Sequence, residues 1–115
     1  MINPIRRFIK GKLLQRHMKG LSMQERFAEH YRSGWWFANG ESVSGSGSTL
    51  KATVEIRKHL VPFLERWQVK RFLDAPCGDW NWMKAIPLSV DLHYIGADIV
   101  PELVEKLNAE FQNDR

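Results

Sequence analysis

Between residues 73 and 82 the chain reads Leu73-Asp74-Ala75-Pro76-Cys77-Gly78-Asp79-Trp80-Asn81-Trp82. The segment that leads into this stretch, from Val69 to Ala75, is mostly apolar, which is typical of a strand buried on both faces of a sheet. Pro76 ends the strand, and a short helix is predicted over residues 79–86, closed by Pro87. A buried strand that passes through a tight turn into a helix is the repeating unit of parallel α/β sheets.

The residues after this turn continue the same pattern. A second strand is predicted from Leu92 to Ile99, and Pro101 suits the first turn of a final helix. We therefore predict an α/β fold of which the first βαβα half of a doubly wound sheet is present. Because parallel sheets contain more than two strands as a rule, we expect the chain to be a truncated, N-terminal piece of a longer protein.

Helices are also predicted before the first strand. Ser22 and Glu25 have the spacing of a capping box, which predicts a helix over about residues 23–32. A second helical pattern follows Thr49, and Pro62 is predicted to break it into segments 50–60 and 62–67. Residues 40–49 hold three glycines and four serines, a composition that favours a flexible linker over a functional loop. The predicted organisation is a basic helical extension (1–40), a Gly/Ser loop (41–49) and the first half of a ligand-binding domain (50–115).

Composition restricts the class of protein. The chain has 115 residues, of which 43% are hydrophobic, and one globular domain is expected. The single Cys77 excludes an internal disulfide and a four-thiolate zinc site, and the scattered histidines lack metal-ligand spacing, so no metal is predicted. Neither a membrane span nor a signal peptide is predicted from the apolar pattern, and we expect a cytoplasmic location.

The positive charge lies at the amino end. Residues 1–20 contain six Lys or Arg and no acid, whereas the whole chain carries +4, so the other residues are slightly acidic and give no strong nucleic-acid signal. This arm is interpreted either as a solvated terminus or as a contact with nucleic acid or an anionic membrane surface. Lys12 and Arg16 interrupt the apolar face that Ile5, Phe8, Ile9 and Leu13 share, so a solvated terminus is favoured.

The turn after the first strand has the chemistry of a ligand site. Gly78 would let a ligand approach the main chain, and Asp98 ends the next strand 20 residues later, where a carboxylate can meet ribose hydroxyls. A dinucleotide site needs three glycines here, but this turn has only Gly78, flanked by Asp74 and Asp79. Two carboxylates repel a pyrophosphate and suit a cofactor with a cationic amino-acid end, such as S-adenosylmethionine.

Two motifs carry a resemblance to a known family. The stretch from Leu73 to Asp79 resembles the first motif of class I S-adenosylmethionine-dependent methyltransferases, and residues 94–99 (Tyr94-Ile95-Gly96-Ala97-Asp98-Ile99) resemble the second. The wider resemblance, over about residues 25–112, is to a bacterial subgroup of methyltransferase-domain proteins. It implies a Rossmann-like sheet in which Asp74 and Gly78 line the methionine end of the cofactor and Asp98 holds the ribose. The expected cofactor-binding residues are Asp74, Ala75, Pro76, Cys77, Gly78, Asp79, Asp98 and Ile99.

The resemblance implies transfer of a methyl group from S-adenosylmethionine to an acceptor that the sequence does not identify. Because the family's later motifs are absent, we expect the chain to be the cofactor-binding half and inactive alone. Two alternatives stay open: a nicotinamide- or flavin-binding Rossmann oxidoreductase, and a non-catalytic module that binds nucleic acid or a membrane surface through its basic arm.

The aromatic residues and the cysteine are also considered as functional groups. Residues 35–37 (Trp35-Trp36-Phe37) are interpreted either as a lid over the cofactor or as a helix that packs on the sheet. Trp80 and Trp82 are interpreted either as a wall of the cofactor site that could also stack on a substrate, or as core residues, and core packing is favoured. No histidine lies near Cys77 in sequence, so a nucleophilic role for this thiol is not predicted.

Overall fold

The computed structural model describes residues 3–37 and 40–111. Within these ranges the structure has helices α1 to α4 and strands β1 and β2. In chain order these are α1 (Pro4–His17), α2 (Met23–Ser33), α3 (Val54–Arg66), β1 (Arg71–Asp74), β2 (His93–Gly96) and α4 (Pro101–Phe111), with short 3-10 turns at Ser46–Ser48 and Met83–Ala85.

The two strands form a parallel sheet. Their register pairs Arg71 with His93 and Asp74 with Gly96, so both strands end at the same edge. The predicted α/β class is confirmed to this extent: the protein mixes helices with a two-stranded parallel sheet. The register also brings the residues after Asp74 next to the residues after Gly96.

The connection between the strands differs from the prediction. The prediction of a helix over residues 79–86 is wrong, because only Met83–Ala85 form a helical turn, which is of the 3-10 type. Trp80 has a φ of 59°, a left-handed conformation that an α-helix cannot contain. The side chain of Asp79 also accepts a hydrogen bond from the amide of Asn81 at 3.2 Å, a local bond that competes with helix formation.

The sheet is covered on one face. Phe72 and Tyr94 pack against a core cluster made of Trp80, Met83 and Ile86. Successive side chains of a strand point to opposite faces, and Leu73 on the other face remains 62% exposed. The expectation that the first strand is buried on both faces is therefore wrong for the described residues.

Helix α3 continues across its proline. The predicted break at Pro62 is wrong, since one helix runs from Val54 to Arg66. Its apolar side chains Leu60 and Val61 pack against the core cluster, and Pro62 lies on the exposed side. Packing of this apolar face offsets the backbone hydrogen bond that proline cannot donate.

Helices α2 and α4 pack together beside the sheet. The predicted α2 is confirmed, and its capping box is complete: Ser22 N donates to Glu25 at 2.7 Å and Glu25 N donates to Ser22 Oγ at 3.2 Å. Ala28 is buried against Val100 and Leu103. An ion pair between Arg32 and Glu102 links the two helices at the surface.

Helix α1 is formed by the basic arm and contains no buried residue. It is held on one side, where a Cβ added to Gly11 would lie 3.1 Å from Cη2 of Trp35. Over residues 3–37 and 40–111, no helix has both the length and the apolar character that crossing a membrane requires.

Candidate functional site

A cleft of about 670 Å³ lies at the edge where both strands end. Seven of the eight residues predicted to bind a cofactor line it, and Asp79 is the exception. The other lining residues come from α2 and from four places outside the strands: Trp36, the Gly/Ser loop, Trp82 and Ala97. The full set is Met23, Phe27, Tyr31, Trp36, Ser44, Ser48, Asp74, Ala75, Pro76, Cys77, Gly78, Trp82, Ala97, Asp98 and Ile99.

Backbone hydrogen bonds join the two strand ends at the floor of the cleft. Ala97 N donates to the carbonyl of Asp74 at 2.9 Å, and Cys77 N donates to the carbonyl of Ala97 at 2.8 Å. Gly78 follows with a φ of 58°, and a Cβ at this position would lie 2.6 Å from Ser44 Oγ. The turn therefore requires glycine for its backbone conformation and for space.

Asp98 connects the second strand to the turn. Its Oδ2 accepts a hydrogen bond from Gly78 N at 3.1 Å, and its Oδ1 accepts one from Val100 N at 3.0 Å. A carboxylate offers about four acceptor positions, so Asp98 can still accept hydrogen bonds from a ligand. The 20-residue spacing that singled out Gly78 and Asp98 thus corresponds to a direct contact.

Asp74 forms a hydrogen bond with a residue that sequence reasoning missed. The hydroxyl of Tyr94 donates to Asp74 Oδ2 at 2.7 Å. Burial raises the pKa of Asp74, and the hydrogen bond from Tyr94 opposes that rise. Burial, followed by the bond to Asp74, raises the pKa of Tyr94. The alternation of β2 could have identified Tyr94, because its partner in register, Phe72, shares a sheet face with Asp74.

The carboxylate of Asp79 contacts the Gly/Ser loop. It accepts hydrogen bonds from Ser42 Oγ at 2.7 Å and from Val43 N at 2.8 Å, in addition to the bond from Asn81. Ser42 is fully buried. The linker interpretation of residues 40–49 is therefore wrong for the described residues, since this loop packs on the turn that follows β1.

Ser44 joins three segments of the chain. Its Oγ accepts a hydrogen bond from Asp79 N at 2.8 Å and shares one with the hydroxyl of Tyr31 at 2.9 Å. The serine thus connects the turn, the loop and α2 at one wall of the cleft. Sequence reasoning missed Ser44 and Tyr31, because nothing local distinguishes Ser44 from the other serines of the loop.

The backbone amides of the turn already have acceptors. Trp80 N donates to the carbonyl of Cys77 at 3.3 Å; with the bonds described above, each amide from Cys77 to Asn81 is paired. A phosphate site depends on amides that point at the ligand. The residues that line the cleft include two carboxylates and no Lys, Arg or His. Its charge is therefore negative, and it suits a cationic group.

Aromatic side chains form one wall of the cleft. Trp36 stacks on His30 with ring centroids 4.1 Å apart, and it contacts Phe27 and Tyr31 edge-on at 5.7 Å each. Burial lowers the pKa of His30, so the stacked imidazole favours its neutral form. Trp35 lies instead against α1, and the two tryptophans therefore have different surroundings.

Trp80 and Trp82 also differ. Packing of Trp80 in the core is confirmed, since it is 9% exposed and contacts Phe111 edge-on at 4.8 Å. Trp82 packs against the same core cluster and reaches the cleft. It therefore has both of the roles that the sequence left open.

Cys77 lies on the floor of the cleft as a half-buried thiol. Burial, together with the negative charges of Asp98 and Asp74, raises the pKa of Cys77 to about 11. Few thiolates form at neutral pH under these conditions. Within the part of the chain that the structure describes, no three His, Cys, Asp or Glu residues are grouped to hold a metal ion.

No protein-family model, curated protein or solved structure matches this chain. The functional interpretation therefore depends on the residues of the cleft themselves.

Proposed function

We propose that the cleft binds S-adenosylmethionine and that the chain contains the cofactor-binding part of a class I methyltransferase with a Rossmann-like sheet. The observation that carries this proposal is the position of two carboxylates. Asp74 ends β1 and Asp98 follows the neighbouring parallel strand β2, and both line one cleft together with Gly78 and with no basic side chain in the lining.

The first part of the proposal concerns the methionine end of the cofactor. Its ammonium and sulfonium groups are cations, and a partly desolvated carboxylate attracts them more strongly than one in bulk water. Asp74 is half-buried and positioned by Tyr94. Gly78 has no side chain to block close approach to the main chain. A bound cation would also favour the charged form of Asp74.

The second part concerns the ribose. Two neighbouring hydroxyl groups can donate to the acceptor positions of Asp98 that its bonds to Gly78 and Val100 leave open. Phe27, Trp36 and Trp82 all line the cleft and offer flat apolar surface for a purine base. Rings of this kind also attract a sulfonium-type cation through their π faces.

A nicotinamide or flavin dinucleotide fits this cleft less well. Its pyrophosphate needs free amides or basic side chains. The turn amides from Cys77 to Asn81 are paired, and the carboxylates of Asp74 and Asp98 would repel the phosphates.

When bound, S-adenosylmethionine would supply an electrophilic methyl group for transfer to a nucleophile of the acceptor. The residues of this chain would orient the donor and keep water from it. Such positioning accounts for a large part of the rate of a two-reactant transfer, and no covalent enzyme intermediate is needed. The high pKa of Cys77 agrees with a thiol that takes no nucleophilic part.

Isothermal titration calorimetry tests the proposal by comparing three ligands: S-adenosylmethionine, S-adenosylhomocysteine and oxidised nicotinamide dinucleotide. We expect saturable binding of the first two and none of the third. Tighter binding of the dinucleotide, or no saturable binding of either adenosyl compound at millimolar concentration, would overturn it.

A further inference from the structure

Helix α1 has an apolar face that the rest of the described protein does not cover. Ile5, Phe8, Ile9 and Leu13 are 67%, 66%, 52% and 62% exposed. At 100° per residue these four side chains occupy one side of the helix. Exposed apolar side chains are common when they occur singly, but four on one helix face form a patch.

The opposite side of α1 faces the protein. Gly11 lies against Trp35, and Leu14 and Met18, three and seven residues later, are half-buried. His17 Nε2 lies 3.9 Å from a carboxylate oxygen of Glu29 in α2. Because these contacts attach the other side of the helix, the apolar face is directed away from the cleft and the core.

The charges on α1 are all of one sign. Arg6 and Lys10 flank the apolar face, and Lys12 and Arg16 lie within it. No acidic residue occurs between residues 1 and 20. Lys12 and Arg16 make the apolar face unsuited to burial in a protein core, and they add positive charge to this exposed apolar strip.

We propose that α1 binds the surface of a bilayer that contains anionic lipid. The helix would lie in the plane of the surface, with its four apolar side chains below the headgroups and its cations among the lipid phosphates. At 14 residues it is about 21 Å long, shorter than the ~30 Å apolar layer of a bilayer, so it lies on the surface and does not span it.

The apolar strip distinguishes lipid from nucleic acid as the partner. Phosphate groups of a nucleic acid would pair with the cations of α1 but would leave Phe8 and Ile9 in water. A bilayer provides both an anionic layer and an apolar layer beneath it, so the whole face loses contact with water. The arrangement of charge and apolar surface therefore fits lipid better.

Sedimentation of the whole chain with phosphatidylcholine vesicles, with and without phosphatidylglycerol, tests this proposal. We expect binding only to the anionic vesicles, weakened by salt. Replacing Phe8 and Ile9 by serine should reduce binding at least about tenfold with no change in net charge. Replacing Arg6 and Lys10 by glutamine should reduce it on the order of 25-fold, about fivefold for each basic residue.

Matched controls lie on α3 and just before it. Phe63→Ser removes an exposed phenylalanine outside α1, and the Lys51→Gln, Lys58→Gln pair removes two exposed cations. Both controls should bind as the unchanged chain does. None of the substituted α1 residues is buried, so circular dichroism should show an unchanged melting temperature.

Three results would overturn the proposal. One is equal binding to neutral and anionic vesicles, or no binding to either. Another is binding that the Phe8 and Ile9 substitutions leave unchanged while the charge substitutions abolish it, which would indicate a general polyanion surface. The third is a loss of vesicle binding in the control variants that equals the loss in the α1 variants. The assay contains no adenosyl compound, so its result does not depend on the function proposed for the cleft.

Discussion

Gly78 occupies a position that only glycine can fill, for two separate reasons. Its φ is 58°, and a Cβ would lie 2.6 Å from Ser44 Oγ. We expect Gly78→Ala to lower the free energy of unfolding by about 2–4 kcal/mol, from left-handed backbone strain together with overpacking. Urea denaturation measures this change.

Two other glycines separate the causes. Gly34 has a φ of 62° with no atom within 4 Å of its added Cβ, and Gly47 has neither constraint. Gly34→Ala should lower the free energy of unfolding by about 1–2 kcal/mol, from backbone strain alone. Gly47→Ala should not lower it. Equal losses at residues 34 and 78 would contradict the contact with Ser44.

The charge on Asp74 opposes folding while it favours the proposed ligand. Because burial raises the pKa of Asp74, the folded protein favours the protonated carboxyl more than the unfolded chain does. Ionisation of Asp74 therefore lowers the free energy of unfolding. This loss is absent at pH values below the ordinary aspartate pKa and complete at pH values above the raised pKa of the folded protein. We therefore expect Asp74→Asn to raise the melting temperature at pH 7, and the gain to disappear as the pH falls and the wild-type carboxyl becomes protonated.

Asp91→Asn is the matched control, since Asp91 is exposed in the connection between the strands. Thermal melts over a series of pH values should show no comparable gain for this variant. At pH 7 the stabilised Asp74→Asn protein should also bind S-adenosylmethionine more weakly. A lower melting temperature for Asp74→Asn at pH 7 would contradict the direction of the pKa shift.

At the residue scale, seven of the eight residues predicted to bind a cofactor line the cleft, and the lining residues from α2 and the Gly/Ser loop were not predicted. Asp74, Gly78 and Asp98 were recognisable because their spacing follows from two consecutive strands and one turn. Asp79 contacts the Gly/Ser loop and does not line the cleft, and Ser44 was missed. Their hydrogen bond joins residues 35 positions apart, and such pairing depends on tertiary packing, which no local pattern reports.

At the scale of elements, the sequence predicted α2, both strands and α4 to within a few residues. Capping residues and apolar spacing are local signals, and the structure uses them as expected. The predictions failed where packing competes with local preference. Trp80 adopts a positive φ and enters the core, and α3 passes through Pro62 because its apolar face is buried.

Helix α3 should gain stability when its proline is removed. Pro62 lies inside the helix and leaves the carbonyl of Lys58 without the usual amide donor. We expect Pro62→Ala to raise the free energy of unfolding by about 1–3 kcal/mol, measured by urea denaturation. Pro87→Ala, outside any helix, should give no such gain. A less stable Pro62→Ala protein would show that the proline ring contributes packing that outweighs the missing hydrogen bond.

Across the whole molecule, two surfaces of opposite charge are separated. The cleft is lined by the carboxylates of Asp74 and Asp98, while the charged side chains of α1 are all basic and the helix is attached on the side that carries Gly11. The two proposed ligands, a cationic cofactor and an anionic lipid surface, would therefore bind to different parts of the chain, and each proposal can be tested without the other.

The most direct test of the proposed cofactor site is the calorimetric affinity for S-adenosylmethionine of Asp98→Ala compared with Asp91→Ala. We expect Asp98→Ala to weaken binding by about 1–3 kcal/mol, the cost of a lost charged acceptor, and Asp91→Ala to leave it unchanged. Asp98→Asn is a second variant, because its amide oxygen can still accept the hydrogen bond from Val100 N. If its melting temperature is unchanged, weaker binding by this variant is due to the lost charge and not to unfolding. An affinity that neither Asp98 substitution alters would contradict the account.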